Sequence, residues 1–306
     1  EIWGVIAVSR FLLGAGVGGN YPLSAKKASM SKGTTVEAPE VIVQRTARAF
    51  FWQSPGSVSP YLIALLLLSM PHFEGVTSLQ FRLLFALGAL PAMFVLVASL
   101  RELRQLKSET AKPSDPAAQG GSSATIMDAR HWKALIGTAG TWALFDVAYY
   151  GIVIFTPVIL SKVFGAGQSL TSLATRSALV SAIGVLGCAS GIFCLPRMGA
   201  KALNTLGLAI SGVLFAVLMV MFKYFSGWHT CLFALLCSLV FTLAAGPNVA
   251  TFVLPVLAFP PEVRSTFHGF SSASAKVGAM VGAFIFPIIN DNFGTAAVMG
   301  TQAIVC

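Results

Sequence analysis

Eight stretches of mainly apolar sequence, each near the length that crosses a bilayer, constrain this chain more than any other feature. They lie at roughly 2–25, 47–69, 82–100, 133–160, 175–196, 202–222, 228–259 and 267–289, and a ninth begins near 294. About 20 apolar residues are enough to cross the hydrocarbon core as a helix. Composition points the same way. Hydrophobic residues make up 56% of the 306 and charged residues only 10%, against about a quarter charged in a soluble domain. Such a balance cannot coat a water-soluble globule, so the expected fold class is an all-α, multi-pass membrane protein. Its first partner is the lipid bilayer.

The separators between runs are short, with two exceptions. Residues 26–46 carry Lys26, Lys27, Lys32 and Arg45, and residues 101–132 are rich in charge, Pro, Gly and Ser. The second stretch reads as a flexible linker between two bundles. Of the 20 Lys and Arg, fourteen fall on one side if the spans alternate, and four (Arg82, Lys162, Arg176 and Lys223) fall on the other. That asymmetry places the fourteen in the cytoplasm. Arg10 and Lys276 lie within spans. The expected organisation is 1–100, the end of a first six-helix bundle; 101–132, a cytoplasmic linker; and 133–306, a second bundle with its last helix incomplete. The chain opens at Glu1 and closes at Cys306 within apolar runs, and it is expected to be part of a longer carrier with two six-span halves. No cysteine pair is spaced C-x-x-C, and the five cysteines are expected to be free, buried thiols.

The stretch RFLLGAGVGGNYPLSA, residues 10–25, contains Gly14, Gly16 and Gly19 in the spacing G-x-G-x-x-G. A dinucleotide turn needs a strand before those glycines and an acid about 20 residues on. Here an apolar run continues through them, and lysines follow with no acid before Glu37. Gly14 and Gly18 also form G-x-x-x-G, a spacing that lets membrane helices approach closely, and helix packing is the preferred reading.

A charge at mid-membrane needs a partner, water or a task. Asp146 is the one acid well inside a span, and Trp142, Asp146 and Tyr150 recur every four residues, on one helix face. The aromatic pair could sit at a membrane interface, but around an acid at mid-span a cavity lining is preferred. Lys276 lies about ten residues into its span and could snorkel to the surface; a cavity cation is preferred. Gln53 and Asn248 are donors for a ligand or glue between helices. Together with Tyr21 these residues form a set rich in hydrogen-bond donors, which suits an oxyanion. A carboxylate repels an anion until it is protonated and becomes a donor itself, a physical route to coupling an anion to a proton.

With those residues in view, the chain resembles the phosphate:proton symporters of the major facilitator superfamily. Arg10 to Ala25 matches that family's signature, residues 246–284 are similar to its tenth and eleventh helices, and GTAGTWALFDVAYYG is similar to its seventh. The resemblance implies helices four to twelve of a twelve-helix fold, the last one partial. It implies phosphate-binding roles for Tyr21, Gln53, Trp142, Asp146, Tyr150, Asn248 and Lys276, and proton handling at Asp146 and Arg10. Three positions depart from the family pattern. Asn20 stands where a proton-relaying Asp is usual, and Met30 and Leu257 stand where Glu is usual, acids that would pair with loop arginines such as Arg264.

The expected activity is proton-coupled transport of inorganic phosphate by alternating access, at a plasma membrane. No enzymatic role, no cofactor beyond the coupling protons, no metal and no nucleic acid are expected. Two alternatives stand beside it. One is a facilitator for a sugar or organic ion, against which SLRELRQL and TWALFDVAYY depart from the sugar porters' motifs. The other is a degenerate family member that binds or senses phosphate without moving it, which Asn20, Met30 and Leu257 favour.

Overall fold

The computed structural model describes residues 2–29, 38–109, 129–165 and 167–306. Met30, Lys32 and the central part of the expected linker, 110–128, lie outside them. Among the described residues every regular element is a helix. In chain order these are α1 (Ile2–Ser29), α2 (Pro39–Phe51), α3 (Gln53–Leu68), α4 (Val76–Glu109), α5 (Ala129–Val153), α6 (Thr156–Phe164), α7 (Leu170–Met198), α8 (Ala200–Tyr224), α9 (His229–Ala245), α10 (Pro247–Ala258) and α11 (Pro261–Val305).

Segments 76–101, 170–198, 200–224, 229–258 and 261–305 are each long and apolar enough to cross a membrane, and α5 with α6 makes a further, bent candidate. Their outward faces stay apolar: Leu90, Met93, Phe94 and Leu96 of α4 and Met280 and Phe284 of α11 are exposed, as expected for a surface wetted by lipid.

Several apolar runs prove to be two helices. The run at 47–69 is broken at Trp52, where α2 gives way to α3. Pro55 removes the amide that would bond to the Phe51 carbonyl. The run at 133–160 bends by 49° between α5 and α6, where Pro157 likewise removes a bond. The run at 228–259 has a joint at Gly246, followed by Pro247. In α11, Gly294 takes φ +82°, which separates the run at 267–289 from the ninth, near 294. At the linker the boundaries move. The helix formers of RELRQLKSE extend α4 to Glu109, and α5 begins at Ala129, so both ends of that stretch are helical.

The packing is built on backbone approach. α11 lies along α5, with Gly278 and Gly282 set so closely that a Cβ would run into the Ala143 and Val147 carbonyls. Gly187 and Gly191 of α7 do the same against Phe241 and Ala245 of α9. The expected role of Gly14 and Gly18 is not seen among the described residues: an added Cβ would meet nothing within 4 Å. α1 does run unbroken through these glycines, so no nucleotide-binding turn exists there. α1 packs on α11, α2 on α10 and α7, and α3 on α7. Cys188 and Cys237 are buried, whereas Cys194, Cys231 and Cys306 are half-buried, and all five are free.

Candidate functional site: a paired lysine and aspartate among tyrosines

Four helices bring the polar residues together at mid-span. α5 presents Trp142, Asp146 and Tyr150 in successive turns, α11 supplies Lys276, α1 supplies Tyr21, and Gln53 opens α3. The close seating of Gly278 and Gly282 on α5 is what allows Lys276, on the same helix, to reach across.

Lys276 Nζ lies 3.3 Å from Asp146 Oδ2 and donates to the Tyr150 hydroxyl at 3.2 Å. The same ammonium stands 5.0 Å from the centre of the Tyr21 ring and 4.8 Å from that of Tyr150, within the range of a cation–π contact. Its side chain is 36% exposed and that of Asp146 3%. Lys276 therefore points inward to partners rather than snorkelling to the surface. An ionised carboxylate so buried needs both its partner and its hydrogen bonds.

Tyr21 donates from its hydroxyl to Gln53 Oε1 at 2.9 Å, which ties α1 to α3 and leaves the Gln53 amide hydrogens to other acceptors. Tyr21 and Gln53 line a cavity of about 340 Å³ together with Asn20, Ser24, Phe50 and Phe252. Asn20, the altered relay position, thus faces the same space as two expected ligand-binding residues. Trp142 is buried and meets Tyr21 edge to face at 6.2 Å. It forms part of the wall against which Tyr21 rests.

Two expected residues lie apart. Asn248 is buried at the start of α10 and lines a separate, smaller cavity with Ser54, Ser57, Tyr149, Thr156 and Ser181. Arg10 lies over the Phe85 ring of α4 at 5.8 Å, about three turns along α1 from Tyr21. At the end of α10, Leu257 is exposed. Arg264, whose expected acid partner is absent there, donates from Nε to the Phe259 carbonyl at 3.1 Å.

Two further side chains stand next to the site, Phe252 and His268. His268 is fully buried and donates from Nε2 to the Phe252 carbonyl at 3.2 Å. It sits two turns before Lys276, on the same face of α11, a spacing legible in HGFSSASAK.

The arrangement sets a cation, two phenol hydroxyls and a carboxamide close together, with the Asp146 carboxylate paired to the cation. An anion entering this space competes with Asp146 for Lys276. Among the described residues no group of His, Cys, Asp and Glu is placed to hold a metal ion.

The family described as sugar (and other) transporter matches residues 120–306. The chain is 34% identical over 298 residues to the inorganic phosphate transporter PT2 of Toxoplasma gondii, covering 96% of this chain and 51% of that protein. It is 27% identical over 337 residues to the low affinity inorganic phosphate transporter 4 of Lotus japonicus, covering 93% of this chain and 63% of that one. It is 26% identical over 326 residues to the probable inorganic phosphate transporter 1-6 of Arabidopsis thaliana, covering 90% and 63%. The chain therefore spans between half and two thirds of the length of these curated relatives. The family match takes in more than half of the chain and the whole second group of helices, α5 to α11, with its Lys276–Asp146 pair, and the chain belongs to the sugar (and other) transporter family of the major facilitator superfamily.

Proposed function

We propose that this chain forms the greater part of a carrier that moves inorganic phosphate across a membrane together with protons. The observation that carries the proposal is the Lys276–Asp146 pair, ringed by Tyr21 and Tyr150 at mid-span. The names of the relatives support phosphate as cargo. Phosphate offers several oxygens to donors, and Lys276, Tyr21, Tyr150 and the Gln53 amide are the donors at hand.

Proton coupling follows from competition. While Asp146 is ionised it holds Lys276 and repels an arriving anion. A proton on Asp146 frees Lys276 and turns the carboxyl into a further donor. Anion and proton then enter together, and neither is favoured to cross alone. Alternating access would come from rocking α1–α4 against α5–α11, with the site at their junction. The fourteen-to-four distribution of basic residues supports placing the ends of α1, α4 and α10 in the cytoplasm, in keeping with a plasma-membrane importer.

The test is uptake of labelled phosphate by the complete protein in proteoliposomes, with an imposed acid-outside gradient. Uptake that rises with the gradient is expected, and none at either acid or neutral pH would overturn the proposal. A second reading, binding without transport, draws on Asn20 in the cavity wall, because an amide cannot titrate in a relay. It expects phosphate to raise the melting temperature with no uptake.

A further inference from the structure

We propose that a cavity between α5, α8 and α10, apart from the Lys276–Asp146 pair, binds the headgroup of an anionic phospholipid whose phosphate carries hydroxyl groups, as in phosphatidylinositol. This site does not depend on the carrier reading above.

The cavity measures about 550 Å³, within the usual range of small-molecule sites. It lies at the end of the bundle where Lys133 stands in the first turns of α5 and Lys201 in the first turn of α8, the end that the distribution of basic residues assigns to the cytoplasm. It faces away from the ion pair. Phe252 of α10 turns toward Tyr21 and Trp142. Leu254 and Leu257, which line the cavity, follow Phe252 by about 200° and 140° around the same helix.

One wall is built for an anion. Lys201, Asn204 and Thr205 line it from α8, at a spacing that shares one helix face. Lys201 is exposed and has no ion-pair partner among the described residues, and no acid lines the cavity. α8 starts at Gly199 with no side chain capping it, so open amides and the positive end of the helix dipole belong to the same turn as Lys201.

Asn204 shows that the ligand is more than a charge. It is only 6% exposed, and its Oδ1 is buried with no hydrogen-bond partner. A leucine would fill the same space without that cost. An orphaned acceptor beside an anion site fits a ligand that brings a hydroxyl next to its phosphate. The phosphate meets Lys201 and the first amides of α8, and the hydroxyl donates to Asn204. Thr141, whose own hydrogen goes to the Gly137 carbonyl, accepts from a second hydroxyl across the cavity. A lipid is the source because the remaining surface is apolar. Leu254 and Leu257 form the α10 wall, and the exposed side chains Ile136, Leu206 and Leu257 on the three helices are such as acyl chains cover. Basic pockets between helices at the cytoplasmic face recur as sites for such headgroups.

The test is equilibrium binding of radiolabelled phosphatidylinositol to the complete protein in mixed micelles. Saturable binding is expected, with phosphatidylcholine unable to compete and phosphatidylserine, of equal net charge, a weaker competitor. Lys201→Ala is expected to weaken binding about fivefold to tenfold, the effect of one basic residue on an anionic headgroup. Asn204→Leu is expected to weaken it about threefold to tenfold, the effect of one hydrogen bond, while the melting temperature of the lipid-free protein holds or rises. Parent-like binding by either variant would overturn the proposal, as would phosphatidylserine competing as well as phosphatidylinositol. A lower lipid-free melting temperature in Asn204→Leu would make Asn204 a structural residue and would also overturn it. Displacement of the lipid by an equal concentration of soluble inositol phosphate would overturn the lipid as the source. Lipid binding is read without phosphate or uptake, so its failure leaves the carrier reading standing, and failure of uptake leaves this site standing.

Discussion

Lys276 shares one ammonium between the Asp146 carboxylate and the Tyr150 hydroxyl, and its removal acts on both binding and folding. Lys276→Ala takes away the one cation of the site and should weaken phosphate binding about tenfold to a hundredfold, the range of a hydrogen bond to a charged group. Equilibrium binding of labelled phosphate measures it. The same change leaves a buried carboxylate without its counter-charge, so a lower melting temperature should accompany it. Asp146→Asn should instead keep phosphate binding and flatten its pH dependence. On the proposed coupling, binding in the parent should tighten as pH falls and Asp146 takes up a proton, whereas an amide would free Lys276 at every pH. Binding curves at acid and neutral pH that differ as much in the variant as in the parent would refute this. Asn20→Asp returns a titratable group to the cavity wall and should steepen the pH dependence of uptake.

Among the elements, α5 and α11 form the axis of the site, and their contact is made by glycines. Gly278→Val or Gly282→Val should push the two helices apart and lower stability by about 1–3 kcal/mol, as overpacking does. Met280→Leu, on the exposed face of the same helix, should change little. Thermal unfolding in detergent compares them. This axis was only half legible in advance. The spacing of Trp142, Asp146 and Tyr150 announces a face because three functional side chains share one helical period. Nothing local distinguishes Gly278 and Gly282, which find a neighbouring backbone, from Gly14 and Gly18, which find none among the described residues, because a partner helix is a tertiary fact. The breaks at Trp52 and Gly246 were hidden for a related reason. Apolarity runs through them unchanged, and only Pro55 and Pro247 mark where the hydrogen-bond ladder fails. His268 carries no local mark either, because a single histidine in an apolar run resembles any core residue until Trp142 and Phe252 from other helices close around it.

For the molecule as a whole, the count of basic residues along the chain assigns its two ends to opposite sides of a membrane. Lys162 and Lys223 close α6 and α8 at one end, and Lys133 and Lys201 open α5 and α8 at the other. Cysteines at Lys133 and Lys223 should therefore react with impermeant reagents from opposite faces of a membrane vesicle, and reaction from one face would refute the topology. The first group of helices is not a separate body: α2 shares a core with α7, α8 and α10 through Val43, Ala47, Cys188, Leu203 and Val249. Motion of one group against the other must slide or part that shared surface.

The ion pair at the centre has a consequence for energetics across the membrane. Empty, Lys276 and Asp146 cancel. Loaded with one proton on Asp146 and a singly charged anion on Lys276, the site again sums to zero. Voltage does work only on net charge that moves through the field, about 2.3 kcal/mol per charge per 100 mV. Neither the outward nor the return stroke of this pair should feel the membrane potential, and any current that accompanies uptake must be carried by groups other than these two.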